Sequence, residues 1–92
     1  MTLNTSMRLF VRNLQGQVYQ ILIKEYHTCT MNNFYKLVKK EIKKTQPNIN
    51  NIKLIFSGKI LQQSDDLIYE YHFEKENCIH VIIKKDIIEL EI

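Results

Sequence analysis

The feature that most constrains this chain is a change of apolar period along it. In "HTCTMNNFYKLVKKEIKKTQP" the residues Met31, Phe34, Val38 and Ile42 are spaced three, four and four apart. That spacing stacks them along one side of a helix. On both sides of this segment the period is two. "MRLFVR" puts Met7, Leu9 and Val11 on one face, "VYQILI" does the same with Tyr19, Ile21 and Ile23, and "CIHVIIKK" with Ile79, Val81 and Ile83. A helix with one apolar side needs a second layer, and half-apolar strands supply it. The expected fold is therefore α+β, a mixed sheet with one main helix across one face.

Local signals bound these elements. The polar turn "NLQGQ" holds Gly16, which tolerates positive φ, so the first two strands form a hairpin. Leu37 widens the helix stripe, Thr28 or Thr30 can cap its start, and Pro47 bars its continuation. The lysines of the last turns suit the negative end of the helix dipole. "NINNIKLIFSGKIL" predicts a strand, a Ser57-Gly58 turn and a short second strand. "QQSDDLIYEYHFEKEN" reads as a polar connection anchored by Leu67, Tyr71 and Phe73, with Asp65 and Asp66 in a turn or capping role. The order is ββαββ plus a last strand, without repeat or linker. Residues 7–85 are expected to form the domain, flanked by extensions at 1–6 and 86–92.

Ninety-two residues make one domain with a single small core. A hydrophobic share of 45% beside 25% charged residues describes a folded chain, not a disordered one. No apolar run approaches the roughly 18 residues of a membrane span. The start "MTLNTSMRLF" lacks the basic-then-apolar pattern of a signal peptide. Cys29 and Cys78 form no close-spaced pair, so two reduced thiols in a reducing cytoplasmic or nuclear compartment are expected. Net charge is +3, and Lys36, Lys39, Lys40, Lys43 and Lys44 crowd the helix. Clustered lysines attract phosphates. No aromatic-rich base-reading motif accompanies them, however, and a solvated outer helix face is the stronger reading than nucleic-acid binding. The three histidines and two cysteines are scattered, and no Ser/His/Asp or Cys/His arrangement stands out. The chain is expected to be no enzyme, with no catalytic residue, metal or cofactor.

Binding is the better prospect. If Leu54 enters the core, Ile55 stands on the opposite face, as His80 and Ile82 do opposite Ile79, Val81 and Ile83. Phe10 points outward between Arg8 and Arg12, with Val18 and Leu22 across from it. Apolar residues converging on one exposed face from distant segments make a binding surface.

"MRLFVRNLQGQ", the helix, "KLIFSGKIL" and "CIHVIIKK" resemble ubiquitin-like domains, in order and at nearly the family's spacing, from Met7 to Lys85. "LIFSGKIL", the "DDL" at residues 65 to 67 and "IHVIIK" are most similar to the amino-terminal domain of ubiquilin-type proteasome shuttle factors. The helix-to-strand connection and the "LIYEYHF" loop are longer than the family's. The resemblance implies a β-grasp fold with strand order 2-1-5-3-4. It also implies a protein-binding patch of Leu14, Ile55, His80 and Ile82, with Gly58 in the adjoining turn. The implied function is a non-conjugated module, bound by ubiquitin-interacting helices or proteasomal receptors and monomeric when isolated. Gly16 and Gly58 are the two glycines, so the chain as written holds no Gly-Gly for conjugation. The shuttle factors carry a further ubiquitin-binding domain, which these 92 residues do not encode. The alternative is a small structural subunit of a larger assembly, docked on a scaffold through the fold and the tail "KKDIIELEI". There Ile88, Leu90 and Ile92 continue the outward side of Ile82 and, with Phe10, form a second set of protein-binding candidates. The tail is expected to extend the sheet beside Asn48 to Ile52, or to add to a partner's sheet.

Overall fold

A computed structural model describes residues 6–73 and 79–85. Strands Met7–Arg12 (β1) and Val18–Ile23 (β2) form the first hairpin, followed by a single 3-10 turn at Tyr26–Thr28 and the helix Met31–Lys43 (α1). Strands Ile49–Phe56 (β3) and Lys59–Leu61 (β4) form a second hairpin, a 3-10 turn covers Ile68–Tyr71, and Ile79–Lys85 (β5) closes the order. The sheet runs β2-β1-β5-β3-β4. β5 lies in its centre, parallel to β1 and antiparallel to β3. This is the β-grasp arrangement, with one helix over one face.

The two periodicities meet in one core. Leu9, Val11, Tyr19, Ile21, Ile23, Ile52, Leu54, Ile79 and Val81 are buried beneath Met31, Phe34, Val38 and Ile42 of α1. Met7, Leu37, Phe56 and Ile83 pack on its margin, half-buried. An aromatic cluster closes one end. Phe73 lies 5.8 Å from Phe34, 4.7 Å edge-on to Phe56 and 5.5 Å stacked on Tyr71, between ring centroids.

The two candidate caps resolve clearly. Thr30 is the N-cap, its hydroxyl accepting from the Asn33 N–H at 3.2 Å, while Thr28 ends the preceding 3-10 turn. The "DD" segment does cap the helix, chiefly through main-chain carbonyls. Met31 N–H donates to the Asp66 C=O (2.8 Å) and Asn32 N–H to the Ser64 C=O (2.9 Å), satisfying the open first turn. In the following loop the anchors differ from expectation. Phe73 is fully buried, but Leu67 and Tyr71 are half-buried and Ile68 fills the core in their place. The 3-10 turn that begins at Ile68 rotates its side chain inward, a local geometry no apolar period announces.

Two buried residues make the key polar contacts, Tyr35 between helix and sheet and Asn13 within the first turn. Tyr35, off the main stripe, is buried with its hydroxyl between β3 and β4, donating to the Leu61 C=O and accepting from the Leu54 N–H at 3.2 Å. Asn13 is the buried polar residue of the first turn. Its Oδ1 accepts from the N–H groups of Gln15 and Gln17, each at 2.9 Å, and its Nδ2 donates to Gln17 Oε1 at 2.8 Å. Among the described residues no buried side-chain nitrogen or oxygen lacks a partner.

The β3–β4 turn has positive φ at both central residues, 55° at Ser57 and 80° at Gly58. Those angles belong to the tight hairpin turn whose twist matches the flanking strands. A Cβ added at Gly58 meets nothing within 4 Å. The cost of Gly58→Ala is therefore backbone strain alone, about 1–2 kcal/mol, readable as a melting temperature lower by about 5–10 °C.

A candidate protein-interaction face

The face of the sheet opposite α1 is assembled by strand register. Val18 pairs with Arg12, Arg12 with His80, His80 with Ile55, and Ile55 with Ile60. One lateral row thus crosses all five strands. Its members come from positions 12, 18, 55, 60 and 80, which only this topology brings together. Directly opposed side chains in a sheet have Cβ atoms about 4.5–5.5 Å apart, so the row is continuous.

The expected patch residues fall on this face. Ile55 and His80 are cross-strand partners, and Ile82 lies next along β5, opposite Lys53. β5 runs on past the end of β1, so Ile82 is level with the turn that holds Leu14. Leu14 is 79% exposed. The Asn13 hydrogen bonds hold that turn, and Gln46 Nε2 reaches across from beyond α1 to the Tyr19 hydroxyl at 3.0 Å. Gly58 supplies the tight turn that pairs Ile60 with Ile55. Ile55, His80 and Ile82 are half-buried rather than fully in water. In the register Ile55 stands between His80 and Ile60, and Ile82 stands opposite Lys53.

Ile60 is the member that the sequence reading missed. It is 50% exposed and directly opposite Ile55. Its strand has three residues, too few for alternation to announce which side faces out. The face is also basic: its strand positions include Arg8, Arg12, Lys53 and Lys84 and no Asp or Glu.

A second apolar group adjoins it on the first hairpin. Phe10 pairs with Gln20, which places Val18 and Leu22 on its two diagonals. All three are close to half-exposed, at 46%, 51% and 49%. The remaining secondary candidates, Ile88, Leu90 and Ile92, lie outside the described residues, as does Cys78.

Other chemistry finds little support here. Lys36, Lys40, Lys43 and Lys44 are exposed on α1 and Lys39 is half-buried, with Lys44 paired to Glu41 at 3.1 Å. An exposed pair of this kind contributes little to stability. Cys29 is a free, buried thiol whose pKa is raised by desolvation, which keeps it protonated and a poor nucleophile. Among the described residues no group of His, Cys, Asp and Glu could hold a metal ion. No described helix is long and apolar enough to cross a membrane.

A mixed five-stranded sheet in the order β2-β1-β5-β3-β4 with one helix across one face is the architecture of a ubiquitin-like domain. The model of the ubiquitin family matches residues 9–86. The chain is a member of the ubiquitin family. No curated protein matches it individually.

Proposed function

We propose that this chain is a ubiquitin-like protein-interaction module that acts without covalent attachment and without catalysis of its own. Its partner binds the open face through Leu14, Ile55, Ile60, His80 and Ile82, next to the Gly58 turn. The observation that carries this reading is the row from Val18 to Ile60, in which Ile55 sits between His80 and Ile60. Family membership supports protein binding in general. The likeness of "LIFSGKIL" and "IHVIIK" to ubiquilin-type domains supports partners of the ubiquitin-reader or proteasomal-receptor kind. The basic rim of Arg12, Lys53 and Lys84 favours an amphipathic helix with acidic flanks. Burying such a patch stabilises the complex by roughly 25 cal/mol per Å² of apolar area, less the association cost. Affinity on the order of micromolar follows. The free Cys29 thiol supports a reducing compartment, cytoplasmic or nuclear.

The test is a titration of an acidic ubiquitin-interacting helix into wild type and Ile55→Ala. The variant is expected to bind about fivefold to tenfold more weakly, as truncation at the centre of an interface costs upward of about 1 kcal/mol. Its melting temperature should stay near that of wild type, because surface substitutions usually change stability by about 0.5 kcal/mol or less. Equal affinity of the two proteins for a helix that binds wild type rejects the patch.

A second reading, a subunit built into a larger assembly, is favoured by the Phe10, Val18 and Leu22 group. In that case Phe10→Ala weakens incorporation into the assembly while leaving helix binding at Ile55 intact.

A further inference from the structure

Leu14 comes from the first turn, and that turn is closed around Asn13. The Asn13 N–H donates to the Gln17 C=O at 2.9 Å, and the Asn13 C=O accepts from the Gly16 N–H at 3.1 Å. The second bond makes Leu14 and Gln15 the central pair of a β-turn. Asn13 Oδ1 also accepts from the Gln15 N–H at 2.9 Å, an Asx-turn that encloses Leu14. The backbone of Leu14 is thus fixed twice over, although its side chain is 79% exposed.

A hydroxyl behind the turn holds Asn13 in its place. Tyr19 is buried, and its oxygen accepts from Asn13 Nδ2 and donates to Gln17 Oε1, each at 3.4 Å. The same oxygen accepts from Gln46 Nε2 at 3.0 Å, the shortest of these three contacts. Gln46 is itself well anchored. Its N–H donates to the Ile42 C=O at the end of α1 (2.9 Å), and its C=O accepts from the Ile49 N–H at the start of β3 (3.3 Å). A polar groove of about 530 Å³, lined by Gln15, Gln17, Thr45 and Gln46, runs between the turn and the helix end. The bond from Gln46 to Tyr19 joins its two sides.

We infer that Tyr19 and Gln46 are positioning residues for partner binding. They tie the Leu14 turn to the end of α1, so that Leu14 stands level with Ile82 before a partner arrives. A turn ordered in advance spares the complex the entropy of ordering it. This rests on the open-face reading and adds to it two residues set behind the face.

Two variants cut the link from opposite ends. Tyr19→Phe keeps the ring in the core and removes the hydroxyl, and Gln46→Ala removes the amide. Titrated with the acidic ubiquitin-interacting helix, each is expected to bind about threefold to tenfold more weakly than wild type. The double variant should bind no more weakly than Tyr19→Phe, because the two changes break one link. A merely structural role would not depend on Leu14. In a Leu14→Ala background Tyr19→Phe should therefore change affinity no further, whereas in an Ile55→Ala background its effect should persist. NMR relaxation reads the turn directly. Amide order parameters at Leu14 and Gln15 should fall in Tyr19→Phe from about 0.85 to below about 0.6, with those of β3 unchanged. If Tyr19→Phe does not fold, as judged by circular dichroism, Gln46→Ala carries the same measurements from a half-buried position. Unchanged order parameters overturn the inference, as does an equal loss of affinity with and without Leu14. Weaker binding by Ile55→Ala beside unchanged binding by Tyr19→Phe overturns this inference alone. If Ile55→Ala and Leu14→Ala both bind as wild type does, the open-face reading fails and takes this one with it.

Discussion

Phe34→Ala is expected to remove about 3–5 kcal/mol of stability. Phe34 has no solvent exposure and sits where the helix stripe meets the aromatic cluster, its ring 5.8 Å from Phe73. Truncation loses the transfer energy of the ring and leaves a cavity between α1 and the sheet. The surrounding walls, Phe73 with Phe56 and Tyr71, are large rings already packed on one another and cannot collapse into the space. Native domains hold about 5–15 kcal/mol in total, so this one side chain supplies a large share. In urea, with a slope of about 1 kcal/mol per molar for a domain this small, the midpoint should fall by about 3–5 M, or the protein should be unfolded without denaturant. A loss below about 1 kcal/mol would mean that the helix does not pack on the sheet through this residue.

Tyr35→Phe deletes one oxygen and is expected to cost about 1–3 kcal/mol. The hydroxyl lies between two backbone groups, the Leu61 C=O and the Leu54 N–H, that face each other across β3 and β4. Without it both are left buried and unsatisfied, or the strands must shift to meet. Because β4 carries Ile60, a shift there also moves the patch. Hydrogen exchange should show the Leu54 amide exchanging faster in the variant than in wild type, with Ile21 in β2 unchanged. Equal exchange at Leu54 would show that direct pairing of the strands replaces the hydroxyl.

The outline of the fold was legible because periodicity is a local property. Met31, Phe34, Val38 and Ile42 announce a helix, and alternation announces β1, β2, β3 and β5, because each pattern reports one buried side of one element. The face that holds the candidate patch residues was half legible in the same way. Ile55, His80 and Ile82 had to face away from the core whatever the topology, and the resemblance to ubiquitin-like domains linked them with Leu14. Ile68, Tyr35, Asn13 and Ile60 were not identified. Ile68 owes its burial to a 3-10 turn without a repeating pattern. Tyr35 lies off the helix stripe and is buried by a hydrogen bond to strands far along the chain. Asn13 is a buried polar residue made possible by four hydrogen bonds around one turn. Ile60 stands on a three-residue strand too short to show a period.

By itself, then, the sequence determined the element types, their order and which side of each faces the core, because these depend on residues within a few positions of each other. Tertiary structure alone decided which outward residues become neighbours. Arg12, His80, Ile55 and Ile60 share a row because β5 inserts between β1 and β3. That insertion is set by how the whole sheet closes over α1, and no short stretch of sequence encodes it.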